Sequence, residues 1–237
     1  MRAPAQYIAM PFFVNVALGR GFPTLTSVAV DIVYVHGLWM PGGEGLILGR
    51  RLQKAFGFRM RPFRFSATAS SMTEITARLQ SFVRELEAPT VHFLGHSLGG
   101  LVIYRFLERY PEQRPGRVVF LGTPCVESRA ALRASRIGLV AALMGKSVAE
   151  ELLRPCERRW TLERPLGIIA GRQPLGFGQF VAQFDEESDG TIAVSETRLP
   201  GATAHLVLPV SHLGMLVSAR VARETGMFLQ QGRFSMG

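Results

Sequence analysis

Cysteine is nearly absent from this chain of 237 residues: Cys125 and Cys156 are the only two. So sparse a count excludes a disulfide-built scaffold and fits two ordinary reduced thiols of an intracellular protein. Acidic side chains are also few, 18 against 27 Lys and Arg, for a net charge of +9 and a pI near 10.7. Charged residues are 19% of the chain, below the roughly 25% usual for a soluble domain, while hydrophobic residues are 47%. A chain of this length holds one core comfortably, and its apolar character suits a parallel sheet covered on both faces.

Other signatures are missing. The longest apolar stretch near the start, Tyr7 to Leu18, is interrupted by Pro11 and Asn15. It is too short to span a bilayer, which takes about 20 residues, and a poor imitation of a secretory signal. Residues 1–27 therefore read as an N-terminal lead-in, and residues 28–237 as one domain. Basic residues such as Arg50, Arg51, Arg129, Arg133, Arg136, Arg220 and Arg223 are scattered rather than blocked, with no zinc-finger, homeodomain or RNA-binding strand motif. That pattern argues against nucleic acid and for a solvated basic surface with weak peripheral attraction to an anionic membrane. There is no phosphate-binding loop, no dinucleotide fingerprint and no metal-spaced cluster, so neither cofactor nor metal is expected. A cytoplasmic location with peripheral membrane association is the expectation for localisation.

What is present is an alternation of short apolar runs with longer amphipathic ones, the mark of βα units. Strands are expected at Val28 to Val35, Phe58 to Phe65, Thr90 to Leu94, Arg117 to Leu121, Leu166 to Ala170 and His205 to Val210. The second carries Arg59, Arg61, Pro62 and Arg64, which suits an edge. Helices are expected at Glu44 to Phe56, Ser71 to Leu86, Leu101 to Tyr110 and 213–231. The stretch 126–163 breaks the rhythm with two helical segments and no strand, and reads as a helical cap. The fold class is thus α/β, a mostly parallel sheet of about six strands with helices on both faces.

The strongest local signal is Gly95-His96-Ser97-Leu98-Gly99, a G-x-S-x-G between an apolar strand and an apolar helix. A nucleophile held in so sharp a turn needs small neighbours for steric room, and its hydroxyl projects beside the N–H groups of the following helix. A hydroxyl is a weak nucleophile at neutral pH and needs a base, which needs a partner to fix its tautomer. The chain supplies them in the order Ser, Asp, His. His212 follows the last strand at the carboxyl edge of the sheet, where ligands bind in open α/β folds. Among Asp185, Glu186, Glu187 and Asp189, the last is preferred because Asp189-Gly190-Thr191-Ile192 makes a tight turn, with Asp185 in reserve. His92 and His205 read as structural.

These motifs, with the His36-Gly37 turn after the first strand, resemble the α/β-hydrolase superfamily, and within it small bacterial lipases and esterases and the GPI-inositol-deacylase-like lipase group. The resemblance spans roughly residues 28–231. It implies the α/β-hydrolase fold, a Ser97-His212-Asp189 triad and an oxyanion hole of two backbone N–H groups, here Leu38 and Leu98. Trp39 and Met40, with Phe177 and Phe180, would suit an apolar acyl pocket, and His96, beside the nucleophile, is an expected substrate contact. The implied activity is hydrolysis of carboxylic esters, small-molecule or lipid, through an acyl-enzyme. Acyl transfer on the same triad and a catalytically silent binding protein are the alternatives. Oligomeric state and acyl chain length are not legible.

Overall fold

The computed structural model describes residues 29–38, 40–126, 158–174 and 186–235. Six strands form one sheet: β1 (Val30–Val35), β2 (Arg59–Phe63), β3 (Thr90–His96), β4 (Val118–Leu121), β5 (Leu166–Gly171) and β6 (Ala204–Leu208). Their order is β2-β1-β3-β4-β5-β6 and every pairing is parallel. The expected edge strand is indeed at an edge: β2 pairs only with β1, and its Arg59 and Arg61 reach back to the buried Asp31 at 2.9 and 3.5 Å. Charge is tolerated there because one side of the strand is open to water.

The central strands alternate side chains between two cores, as the period of two requires. Val33, Val35, Phe93, Val118, Phe120 and Ile168 face α2 (Met72–Arg84) and α3 (Leu98–Arg109). Ile32, Tyr34, Leu94, Val119, Leu121 and Ile169 face α1 (Leu46–Phe56) and α4 (Ala219–Gln231). Helices therefore cover both faces. Local chemistry sets their ends: Ser71 and Glu74 form a reciprocal capping box on α2, and left-handed glycines, Gly57 and Gly232, close α1 and α4.

The closing helix differs from its expected start. Leu213, Met215 and Leu216 keep helical spacing, but Gly214–Leu216 is a 3-10 turn, and α4 begins only after Ser218, whose hydroxyl caps Val221 N–H at 3.3 Å. The residues expected to form the cap helices, the lead-in, Trp39, Phe177, Phe180, Asp185 and Cys156 lie outside the described residues. Of the expected cap, residues 158–163 are coil that packs under the sheet, with Trp160 buried among Tyr104 and Phe120 and its indole N–H on the Arg164 carbonyl at 2.7 Å. Cys125 is free and buried, and burial pushes its thiol up to about 12. No helix among the described residues is long and apolar enough to cross a membrane.

Candidate active site

Register brings the loops that matter to one edge. Val35 pairs with Gly95, His96 with Leu121, and Gly171 with Leu208, so the segments leaving these strands emerge together at the carboxyl end of the sheet. Ser97 follows β3 directly and caps α3 with φ 54° and ψ −125°, the only non-glycine with positive φ among the described residues. Such a conformation is strained for an L-residue and is kept only where surroundings over-determine it. They do so here: Ser97 N–H is held by the Leu121 carbonyl at 2.9 Å, and glycines make the room. A Cβ on Gly95 would collide with the backbone of Gly100, and one on Gly99 would overlap the Val35 carbonyl. The Leu98 N–H, first of α3, has no intrahelical partner and sits at the positive end of the helix dipole.

His212 and Asp189 meet in the structure. Asp189 is 1% exposed; its Oδ2 accepts a hydrogen bond from His212 Nδ1 at 2.7 Å. Its Oδ1 accepts from the N–H groups of Thr191 (2.9 Å) and Ile192 (2.7 Å), the turn that Asp-Gly-Thr was expected to make. The backbones are tied as well, with His212 N–H on the Asp189 carbonyl at 2.9 Å. Because Nδ1 donates to the carboxylate, the lone pair of the neutral ring is on Nε2. The Ser188↔Ala193 bridge closes the acid's loop.

Two further histidines frame this pair. His96, expected as a substrate contact, is 0% exposed and faces the protein instead. Its Nε2 donates to the His212 carbonyl at 3.1 Å, and the two rings lie 4.7 Å apart. A residue so enclosed positions the His212 loop rather than touching a ligand. Burial first, then the nearby His212, lowers its pKa to about 3, so it is neutral. His36 accepts from Phe65 N–H through Nε2 (3.3 Å), donates from Nδ1 to the Gly37 carbonyl (2.8 Å) and stacks on Phe65 at 4.3 Å. Burial lowers its pKa too. The Gly37–Leu38 peptide is planar and trans, so fixing the Gly37 carbonyl turns the Leu38 N–H to the opposite side.

This orienting role of His36 was not apparent from sequence, where only the turn was read. Gly122 was missed as well. It follows β4 at φ 54°, and a Cβ there would stand 2.9 Å from Asp189 Oδ2 and 3.0 Å from His212 Nδ1. Its signal was present in Gly122-Thr123-Pro124, a glycine ending a core strand. Gly37 lies against the serine, for its Cβ would be 3.2 Å from Ser97 Cβ and 3.3 Å from the half-buried Met40 sulfur. Among the described residues, no group of His, Cys, Asp and Glu could hold a metal ion.

With this geometry in view, the solved structures are informative. A mature lipase from Bacillus licheniformis superposes with a TM-score of 0.65 at 18% identity, covering 90% of this chain and 97% of its own. The fold is that of the α/β-hydrolases. A metagenomic carboxyl esterase of this fold matches with a TM-score of 0.60 at 18% identity over 86% of this chain and 76% of its own. The carboxylesterase CesB from Bacillus subtilis matches at 0.55 and 16% identity over 87% and 85%. No protein-family model and no curated protein matches the sequence.

Proposed function

We propose that this α/β-hydrolase-fold protein is a serine hydrolase that cleaves carboxylic esters through an acyl-enzyme. The observation that carries the reading is the strained backbone of Ser97, since a binding scaffold gains nothing from a left-handed serine at a strand-to-helix turn. The buried Asp189–His212 hydrogen bond beside it supports the same reading, as do the lipases and esterases that share the fold.

In this mechanism Ser97 Oγ attacks the ester carbonyl while His212 Nε2 accepts the hydroxyl proton. Asp189 stabilises the imidazolium through Nδ1 and stays ionised. Negative charge grows on the former carbonyl oxygen, and the N–H groups of Leu38 and Leu98 receive it. Each such donor is worth about 3–4 kcal/mol when preorganised. His212 then protonates the departing alcohol; water, deprotonated by the same nitrogen, releases the acid and restores Ser97. Met40, whose sulfur lies 3.3 Å from where a Gly37 Cβ would stand beside Ser97, is the side chain assigned to the acyl side of the site.

The test is hydrolysis of p-nitrophenyl esters from acetate to palmitate by the wild-type chain and Ser97→Ala, with fluorophosphonate labelling in parallel. The expected result is turnover and labelling in the wild type, with kcat reduced at least about 10⁴-fold and labelling abolished in the variant. Undiminished turnover or labelling in Ser97→Ala would remove the serine from its role.

A further inference from the structure

Four large apolar side chains stand exposed among the described residues: Leu46 (56%), Ile47 (44%), Leu213 (55%) and Val217 (47%). They are not scattered. Leu46 and Ile47 open α1, Leu213 follows His212, and Val217 immediately precedes the cap of α4. Both helices follow parallel strands, so both start at the carboxyl edge of the sheet and run away from it side by side. They touch: a Cβ on Gly226 of α4 would overlap the ring of Phe56 of α1. With Phe56 packed on Gly226 and an equal rise per residue over the helical parts, Ala219 at the start of α4 comes level with Gly49. Leu46 and Ile47, within a turn before Gly49, and Leu213 and Val217, in the turn that leads into α4, therefore lie at the same end of the helix pair. The four apolar side chains thus form a tip on the rim of the candidate site.

Behind the tip comes charge of one sign. In the same register Arg50 is level with Arg220, and Arg51, Lys54 and Arg223 are also exposed on the outer faces of the two helices. Neither helix exposes a carboxylate: α1 contains none, and the one acid of α4, Glu224, is buried on Ser235. Scattered basic residues in the sequence are therefore gathered by the fold into a belt one to two turns below an apolar tip. An apolar tip above cations that face no exposed carboxylate of either helix matches the cross-section of an anionic bilayer, whose acyl boundary takes the apolar side chains while its phosphates meet the belt.

We infer that the α1–α4 face docks on an anionic phospholipid surface, with the mouth of the site turned to the lipid. The inference deepens the hydrolase reading by naming the physical state of its substrate, an ester presented in an anionic bilayer, but binding itself does not depend on catalysis.

The experiment is co-sedimentation of the full chain with sucrose-loaded vesicles of phosphatidylcholine alone or mixed equally with phosphatidylglycerol, at low and high salt. Each basic side chain near such a surface contributes about fivefold to partition. The wild type is expected on the mixed vesicles at low salt, far less on phosphatidylcholine, and to be released by salt. Combining Arg50→Glu, Arg51→Glu, Arg220→Glu and Arg223→Glu is expected to lower partition at least about a hundredfold. Ile47→Ser with Val217→Ser lowers it about tenfold while leaving hydrolysis of soluble p-nitrophenyl acetate unchanged. Should the fourfold reversal fail to fold, Arg50→Gln with Arg220→Gln provides the milder step, about 25-fold. Equal partition on both vesicles, no partition at all, wild-type binding by the charge variants, or a dimer abolished by the serine variants in place of vesicle binding would each overturn the inference. Charge-dependent vesicle binding by a chain that hydrolyses no soluble ester would leave it standing and reject the hydrolase reading instead.

Discussion

Replacing Gly122 with alanine tests the site without substituting any reacting group. The new Cβ would lie 2.9 Å from Asp189 Oδ2 and 3.0 Å from His212 Nδ1, the two atoms joined by the 2.7 Å hydrogen bond. Comfortable contact for a carbon is about 3.5 Å, so both groups must retreat by about half an ångström. The backbone adds its own cost, because φ at Gly122 is 54° and an L-residue there loses about 1–2 kcal/mol. With the overpacking, total destabilisation should reach about 2–4 kcal/mol. A shift of about 1 Å in a catalytic group lowers rate about 100-fold, so half of that predicts a kcat lower by about tenfold, with KM close to wild type. Steady-state kinetics on a short p-nitrophenyl ester and urea unfolding would measure both. Gly43→Ala is the control, since nothing lies within 4 Å of its Cβ and its φ is ordinary, and it should be neutral in both assays. A Gly122→Ala chain with wild-type kcat would refute the claim that the Asp189–His212 geometry serves catalysis.

Acid should destabilise the fold through its neutral histidines. Burial lowers His92 to about 4 and His96 to about 3, from an ordinary 6.5, so below pH 6.5 the unfolded chain takes up protons that the native chain refuses. Their contribution is complete above pH 6.5 and falls as pH drops, by about 2 kcal/mol each at about pH 5, and a flat unfolding free energy between pH 8 and 5 would contradict it. His96→Gln keeps an N–H donor for the His212 carbonyl and should hold kcat within a few-fold, whereas His96→Ala should lose about tenfold in kcat and about 1–3 kcal/mol of stability. Equal effects from the two substitutions, or an unchanged pH–rate profile in His96→Ala, would mean that His96 is packing alone.

The parts of this fold legible in sequence are those governed by neighbours along the chain. Gly95 and Gly99 announce the serine turn because steric room is a local demand, and Asp189 announces its loop because a carboxylate two residues before Thr191 N–H makes a turn by itself. Strand alternation followed from burial on both faces. What could not be read depended on partners far away. His96 looked like a ligand contact because its place beside Ser97 is visible, while the His212 carbonyl that claims its Nε2 lies 116 residues on. Gly122 seemed an ordinary strand end until Asp189 and His212 arrived against it. His36 likewise needed Phe65 N–H, brought in by β2, to settle which nitrogen carries the proton. The start of α4 failed for a local reason: a 3-10 turn keeps apolar side chains at nearly helical intervals, so spacing alone does not separate it from the helix that Ser218 begins.

The parallel order of the sheet also sets a timetable. The serine turn is complete once β1, β3, β4 and α3 have packed, but Asp189 and His212 belong to chain made later and flank β6, which docks on β5. Strand pairing over such distances is the slow part of folding. On the proposed reading, a chain made only as far as β4 can shape the serine turn but lacks Asp189 and His212, and the site is assembled only after β6 has been added.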